Sequence, residues 1–293
     1  MEKCGILIVN KPKNYTSNDV VNKVKKLLDT KVGHTGTLDP NATGVLPLLL
    51  GKGTKFSKYL INHDKKYIAT LQLGVKTSTA DIEGEIIEEK EVNIDKLNKV
   101  NVSSCLNSFL GKQVQTPPIY SAIKVNGKKL YQYARANIDV EIPKRNIEIY
   151  SIDLININPD EKNIKFEVEC SKGTYIRSLC EDIAKSLGTV GYMKDLERAR
   201  VGDFEICNSV TLDEIEQNAK NEQWLTNHII TLEQLLDNKG KINIENCDIE
   251  KFYNGVKILN NNIDGIYSIY CNNKFLGSGT VQNNYLKRDV LIG

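Results

Sequence analysis

Asp39 is the residue whose setting first suits chemistry. It lies in GHTGTLDPNATGVLPLLLG, residues 33–51, with Gly33, Gly36 and Gly44 around it and Pro40 directly after it. Glycine permits positive φ and close approach to a ligand, while Pro40 fixes its own φ and biases Asp39 away from the helical region. Two readings are open. Asp-Pro is a common turn starter and needs no chemistry; alternatively the turn presents a carboxylate for reaction, as polar loops anchored by buried strands often do. To stay ionised, such a carboxylate needs a guanidinium that orients it and lowers its pKa; buried without one it would tend to protonate. Arg177, in CSKGTYIR (170–177), has simple helix capping and a surface ion pair as its ordinary reading. Tyr67, in DKKYIATLQLGV, is a third residue of interest, and a core or rim aromatic is the ordinary reading for it.

The elements that must position these residues follow from periodicity. Val45–Leu50 is short, apolar and closed by Gly51, which predicts a buried strand carrying the Asp39 loop. Cys4–Val9 reads as another strand. Ser17 then opens a helix with Val20, Val21, Val24, Leu27 and Leu28 on one stripe. Thr54–Ile61 reads as a short helix, and Tyr67, Ala69, Leu71 and Leu73 alternate as one face of a strand. Thr77–Glu83 is polar and is expected to face the substrate.

Ile94–Leu110 predicts a helix with Leu97, Val100 and Leu106, stopped by Gly111. Next come a strand, an Asn126-Gly127 turn and a tyrosine-bearing helix, then strands over Lys144–Asn156 and Lys162–Cys170. Thr174 is the expected N-cap of a helix whose apolar face is Ile176, Leu179, Cys180, Ile183, Ala184 and Leu187. Leu196–Phe204 reads as a strand, followed by helices over Thr211–Ala219 and Glu222–Leu236. Beyond the polar linker at Asp237–Gly240, turn-punctuated short strands predict a compact all-β module over 240–293.

Composition bounds the function. Hydrophobic residues at 40% and charged residues at 26% describe a soluble globular chain, and 293 residues allow a main domain with an appendage. No apolar stretch approaches the ~20 residues of a membrane span, and MEKCGILIVNKPKNY is not a signal peptide, so a cytoplasmic location is expected. The 7 cysteines are scattered without a CxxC pair, which argues against a zinc site or a disulfide framework; neither metal nor cofactor is expected. Net charge is only +2, but Ser121–Tyr150 carries Lys124, Lys128, Lys129, Arg135, Lys144 and Arg145 against Asp139, Glu141 and Glu148, interleaved with tyrosines. That mixture suits phosphate contact and base stacking; a solvated hairpin and helix is the alternative.

GHTGTLDPNATGVLPLLLG, PP-x-YSA-x-K-x-NG-K-x-LY-x-YAR (117–135) and SKGTYIR together resemble the TruB family of RNA pseudouridine synthases. NKP (10–12) resembles the family's first motif with Asn10 in place of an aspartate, and LERARVGDF (196–204) resembles its LRR-x-x-x-G-x-F strand with Glu197 in place of an arginine. The resemblance implies an α+β fold, a mixed and mainly antiparallel sheet with flanking helices, a thumb-like insertion at about 117–150 in a catalytic domain of 1–236, and a PUA-like RNA-binding module in 240–293. It implies Asp39 as catalyst, Arg177 as its partner and Tyr67 as the ring stacking on the target base near its C5 proton. His34 is expected to fill the space of a flipped base. Tyr175, Lys11 and Thr37 are expected around the substrate, with Lys124, Lys128, Arg135, Arg145, Arg198 and Arg200 on RNA.

The implied reaction detaches uracil from C1′ and rejoins it through C5, with no metal and no redox step. A carboxylate can serve it by adding to C1′, by stabilising a cationic sugar, or by taking the 2′ proton. The implied substrate is the T-loop uridine of tRNA, acted on without an obligate protein partner. Two other functions compete: the catalytic subunit of a guide-RNA-dependent particle, and a tRNA-binding or tRNA-folding protein without catalysis.

Overall fold

The computed structural model describes residues 3–61 and 63–292. Its main sheet is built from β1 (Gly5–Lys11), β2 (Val32–His34), β3 (Thr43–Leu50), β4 (Lys65–Leu73), β7 (Gly111–Gln115), β10 (Arg145–Asn158), β11 (Asn163–Cys170), β12 (Gly191–Val201), β13 (Phe204–Glu205) and β14 (Ile229–Ile230). The order is β14-β1-β3-β12-β4-β11-β10-β7, with β2 also on β3 and β13 on β12. Every pairing is antiparallel except β12 with β3. The sheet is therefore mixed and mainly antiparallel, as expected. Two small hairpins stand off it: β5 (Val75–Thr77) with β6 (Ile86–Glu89), and β8 (Lys124–Val125) with β9 (Lys128–Lys129).

The helices are α1 (Ser17–Leu28), α2 (Ser57–Leu60), α3 (Lys99–Asn107), α4 (Leu130–Arg135), α5 (Ile176–Ser186), α6 (Leu212–Asn218) and α7 (Glu222–His228). Thr16 and Asp19 form a capping box at the start of α1, whose Val20, Val21, Val24 and Leu28 are buried. They pack with α6 on Leu7, Val9, Leu46, Leu48 and Leu50. Ile6, Ile8, Val45 and Leu49 point the other way, into a cluster with Leu60 and Val201. Because β3 is covered on both faces, its sequence is continuously apolar instead of alternating. A second core places α3 and α5 against β4, β10, β11 and β12.

Several elements differ from the periodicity reading. The segment 94–110 splits into a 3₁₀ turn at Ile94–Lys96 and α3, which leaves Val100 exposed and buries Val102 instead. The segment after Glu222 is helical only to His228; Ile229–Ile230 then pairs with β1, closing the sheet edge. The Asn126-Gly127 turn has φ of 50° and 81°, the double positive φ that a two-residue hairpin demands.

The C-terminal part contains β15 (Gly240–Asn243), α8 (Ile249–Tyr253), β16 (Ile258–Leu259), β17 (Gly265–Cys271), β18 (Lys274–Gln282) and β19 (Tyr285–Leu291), so it is not wholly β. Its sheet runs β15-β17-β18-β19-β16 around its own core of Ile242, Phe252, Ile269, Val281 and Leu286. Val290 packs on Phe56, Leu232 and Leu236, and the Tyr59 hydroxyl donates to Ser278 Oγ (2.8 Å), joining this sheet to the main body. No helix among the described residues is long and apolar enough to cross a membrane.

The crossing of β3 and β12 holds the Asp39 loop in place. Gly44 has φ of +103°, and a Cβ there would lie 2.3 Å from the Arg198 carbonyl oxygen and 2.8 Å from its nitrogen. Backbone stands on both sides of that clash, so neither strand can yield cheaply. We expect Gly44→Ala to cost on the order of 3 kcal/mol from the φ and the contact together, lowering the Tm by roughly 5–10 °C in a thermal melt.

Candidate active site

Asp39 occupies the loop between β2 and β3. The Ala42 N–H donates to the Asp39 carbonyl (3.1 Å), so the Asp-Pro turn is real and also presents the carboxylate. The loop is fastened to the start of α1: the Leu38 N–H donates to Ser17 Oγ (2.8 Å), and Asn14 N–H donates to the Pro40 carbonyl (3.0 Å). Lys11 completes the fastening. Its ammonium donates to the carbonyls of Pro12 (2.9 Å), Tyr15 (2.5 Å) and Pro40 (3.0 Å), and its side chain is fully buried. Burial lowers its pKa to about 8, although the nearby Asp39 charge opposes the fall. Lys11 therefore holds the loop.

Arg177, in the first turn of α5, grips Asp39 with a fork. Nε lies 3.1 Å from Oδ2, and one terminal nitrogen donates to Oδ1 at 3.3 Å. The same guanidinium donates to the Thr79 carbonyl (3.2 Å) and the Tyr120 carbonyl (2.9 Å), and pairs with Asp81 Oδ2 at 3.5 Å. One buried cation thus ties together the Asp39 loop, the Thr77–Glu83 loop and the segment that follows β7. Asp81 escaped the sequence reading, although its loop was expected to face the substrate. The signal was a second carboxylate in that loop; what hid it was a contact spanning nearly a hundred residues. Thr79 Oγ1 (2.5 Å) and the Glu83 N–H (3.1 Å) donate to Asp81 Oδ1 and fix it.

Asp39 keeps 34% of its side chain exposed, toward a cleft lined also by Asn41, Asp81, Glu83, Met193 and Leu196. Although the carboxylate is reachable, the surrounding atoms withdraw enough water to raise its pKa above the ordinary value of 3.8. Arg177 opposes the rise and the charge of Asp81 adds to it. The net direction is the reverse of that expected from the arginine alone, because desolvation is the larger effect. A reaction needing ionised Asp39 is then lost as pH falls through this raised pKa. Single-turnover rates measured against pH should show an acid limb centred above 3.8; a limb at or below that value would contradict the assignment.

Tyr67, third in β4, is 8% exposed and packs in the core around α5. Burial raises the pKa of its phenol, which shares a hydrogen bond with Arg198 and feels the Asp39 charge, so it stays neutral at physiological pH. Arg198, expected on RNA phosphate, is fully buried. Its Nε donates to the Val45 carbonyl (2.8 Å) and a terminal nitrogen to the Gly36 carbonyl (3.1 Å). It braces the Asp39 loop and Tyr67 from behind. Arg200 is also committed, to Glu169 at 2.6 Å, with part of its side chain exposed.

His34 ends β2, opposite Leu48. Burial lowers its pKa and keeps the ring uncharged, and its Nδ1 has no hydrogen-bond partner among the described residues. Thr37 is exposed beside it and Tyr175 is half-buried. Thr174, the expected helix cap, instead donates to the Ser171 carbonyl, and Tyr175 takes the N-cap position of α5. Between β7 and β10, Lys124, Lys128 and Arg135 are exposed, as is Arg145 at the start of β10. Tyr131 lies between Lys129 and Arg135, 5.5 Å and 5.4 Å from its ring centre. Asn10 and Glu197 both line a broad second cleft, beside Lys11 and Thr43.

Comparison with known proteins identifies the family. Residues 24–176 match the TruB family pseudouridylate synthase N-terminal domain, and residues 177–237 match the tRNA pseudouridylate synthase B C-terminal domain. The tRNA pseudouridine synthase B of Clostridium tetani is 43% identical over 282 residues, 94% of each chain. That of Bacillus subtilis is 46% identical over 255 residues, 86% of this chain and 82% of its own. Among solved structures, the archaeal box H/ACA sRNP Nop10-Cbf5 complex superposes with a TM-score of 0.71 at 22% identity, covering 99% of this chain and 86% of that one; at that identity the likeness is one of fold. The chain belongs to the TruB family of pseudouridylate synthases.

Proposed function

We infer that this protein is a stand-alone tRNA pseudouridine synthase that converts the T-loop uridine counted as position 55 into pseudouridine. The observation that carries the reading is the Asp39 carboxylate, forked by Arg177 at the floor of an open cleft with the Tyr67 ring behind it. In the reaction the bond from C1′ to N1 breaks, uracil turns, a bond from C1′ to C5 forms, the C5 proton leaves and N1 gains one. Positive charge develops on the sugar, and an oriented carboxylate meets it by addition, by electrostatic stabilisation or by removing the 2′ proton. Tyr67 offers a ring on which the detached base stacks, close to its C5 proton. The uridine must leave its stack, at a cost of a few kcal/mol, and the uncharged His34 ring is suited to fill the gap. Lys124, Lys128, Arg135 and Arg145 supply backbone contacts from the thumb, and the C-terminal sheet reaches more distant tRNA in the manner of a PUA module. The setting is the cytoplasm, where tRNA is available, and no protein partner is required.

The test is to incubate the purified protein alone with an unmodified tRNA transcript and map pseudouridine by chemical adduct and reverse transcription. A single stop at the T-loop uridine is expected. A stop that appears only with added guide RNA and partner proteins would instead make the chain a particle subunit. Tight binding with no stop would make it a tRNA-binding protein.

A further inference from the structure

The N-terminus of α5, which carries Arg177, has no side-chain cap from its own neighbourhood. The missing partner comes from Gln115, the last residue of β7 and only 3% exposed. Gln115 Oε1 accepts from the Tyr175 N–H at 2.8 Å, and its Nε2 donates to the Tyr175 carbonyl at 3.0 Å. A primary amide that spends both donor and acceptor on one residue's backbone fixes that residue's φ and ψ as a strand neighbour would. The next residues repeat the attachment: Ser178 Oγ donates to the Thr116 carbonyl (2.8 Å), and Arg177 donates to the Tyr120 carbonyl (2.9 Å). One segment, 115–120, where the thumb leaves the sheet, is therefore stapled to 175–178, where the guanidinium leaves α5.

We propose that Gln115 is a positioning residue: through the backbone of Tyr175 it sets where the Arg177 fork stands, and so links the root of the thumb to the orientation of Asp39. This rests on the pseudouridine synthase reading above. An amide confined to stabilising the core would affect melting and RNA binding but not the rate of the bound complex. A residue that places the fork affects that rate, since displacing a catalytic group by about 1 Å costs roughly a hundredfold.

The experiment compares wild type, Gln115→Met, which keeps the volume and loses both hydrogen bonds, and Gln115→Glu, which keeps an acceptor for the Tyr175 N–H. Single-turnover rates at saturating T stem-loop RNA, the Kd for that RNA and the Tm are measured together. The expected result is a rate loss of about 30-fold or more in Gln115→Met, a Kd within about threefold of wild type, and a smaller rate loss in Gln115→Glu. A saturated rate within about threefold of wild type in Gln115→Met overturns the proposal, whatever happens to the Tm. If Gln115→Met does not fold, Gln115→Glu decides on the same criterion of an impaired rate with unimpaired binding. Inactive wild-type protein would defeat the functional reading itself; active wild type with fully active variants would defeat only the role of Gln115.

Discussion

Replacing Asp39 with asparagine should abolish turnover, by on the order of 10³-fold or more, while leaving tRNA affinity nearly unchanged. Asparagine has the same shape and can still accept a hydrogen bond from Arg177, so the loop, fastened through Ser17, Asn14 and Lys11, keeps its place. What disappears is the negative charge and the ability to add to a sugar carbon or take a proton from it. RNA contacts assigned to the thumb lie elsewhere and are untouched. Filter binding and single-turnover rates on one preparation check both halves. A variant that turns over normally would remove Asp39 from the chemistry, and one that loses rate and binding in parallel would make it a binding residue.

The second large effect belongs to Arg177. Five polar contacts converge on its guanidinium: both oxygens of Asp39, the Thr79 and Tyr120 carbonyls, and Asp81. A lysine has one ammonium where the arginine has a planar fork, so it cannot hold both Asp39 oxygens and reach the other partners. Arg177→Lys should reduce the single-turnover rate by about 10²-fold with a modest fall in Tm. Arg177→Met is harsher. It leaves the Asp39 and Asp81 carboxylates facing a site without its cation, which should destabilise the fold by about 3 kcal/mol or more and drive Asp39 toward its protonated form. The acid limb of any residual activity should therefore move to still higher pH. Denaturant melts and the pH profile of the two variants separate loss of charge from loss of the fork; a lysine variant as active as wild type would show that fork geometry adds nothing, and equal effects of lysine and methionine would show that a charge without the fork adds nothing.

The Asp39 loop was the most legible part of the site, because glycines, a proline and a buried strand compress its geometry into nineteen consecutive residues. Its partners were legible only through resemblance, since the sheet order that brings β4, β12 and the start of α5 to the loop lies in long-range pairing. Arg198 is instructive. It stands two residues after Leu196 on β12, so strict alternation puts both on the buried face; the family resemblance implied an exposed contact with RNA. Arg200 should then also point inward, but a register shift between Arg198 and Arg200 turns it out toward Glu169. Thr174 looked like a cap because Gln115, the residue that satisfies Tyr175, is distant in sequence and carries no local mark. The helix expected beyond Glu222 ended early because Ile229 and Ile230 are needed to cover the edge of β1.

The most direct measurement uses tRNA labelled with tritium at uridine C5 and the purified protein alone. Release of one equivalent of tritium per tRNA, absent with Asp39→Asn although that variant still binds, is the expected result. Binding of the same tRNA by wild-type protein without any release would contradict the assignment of Asp39 as the catalyst of uridine isomerisation.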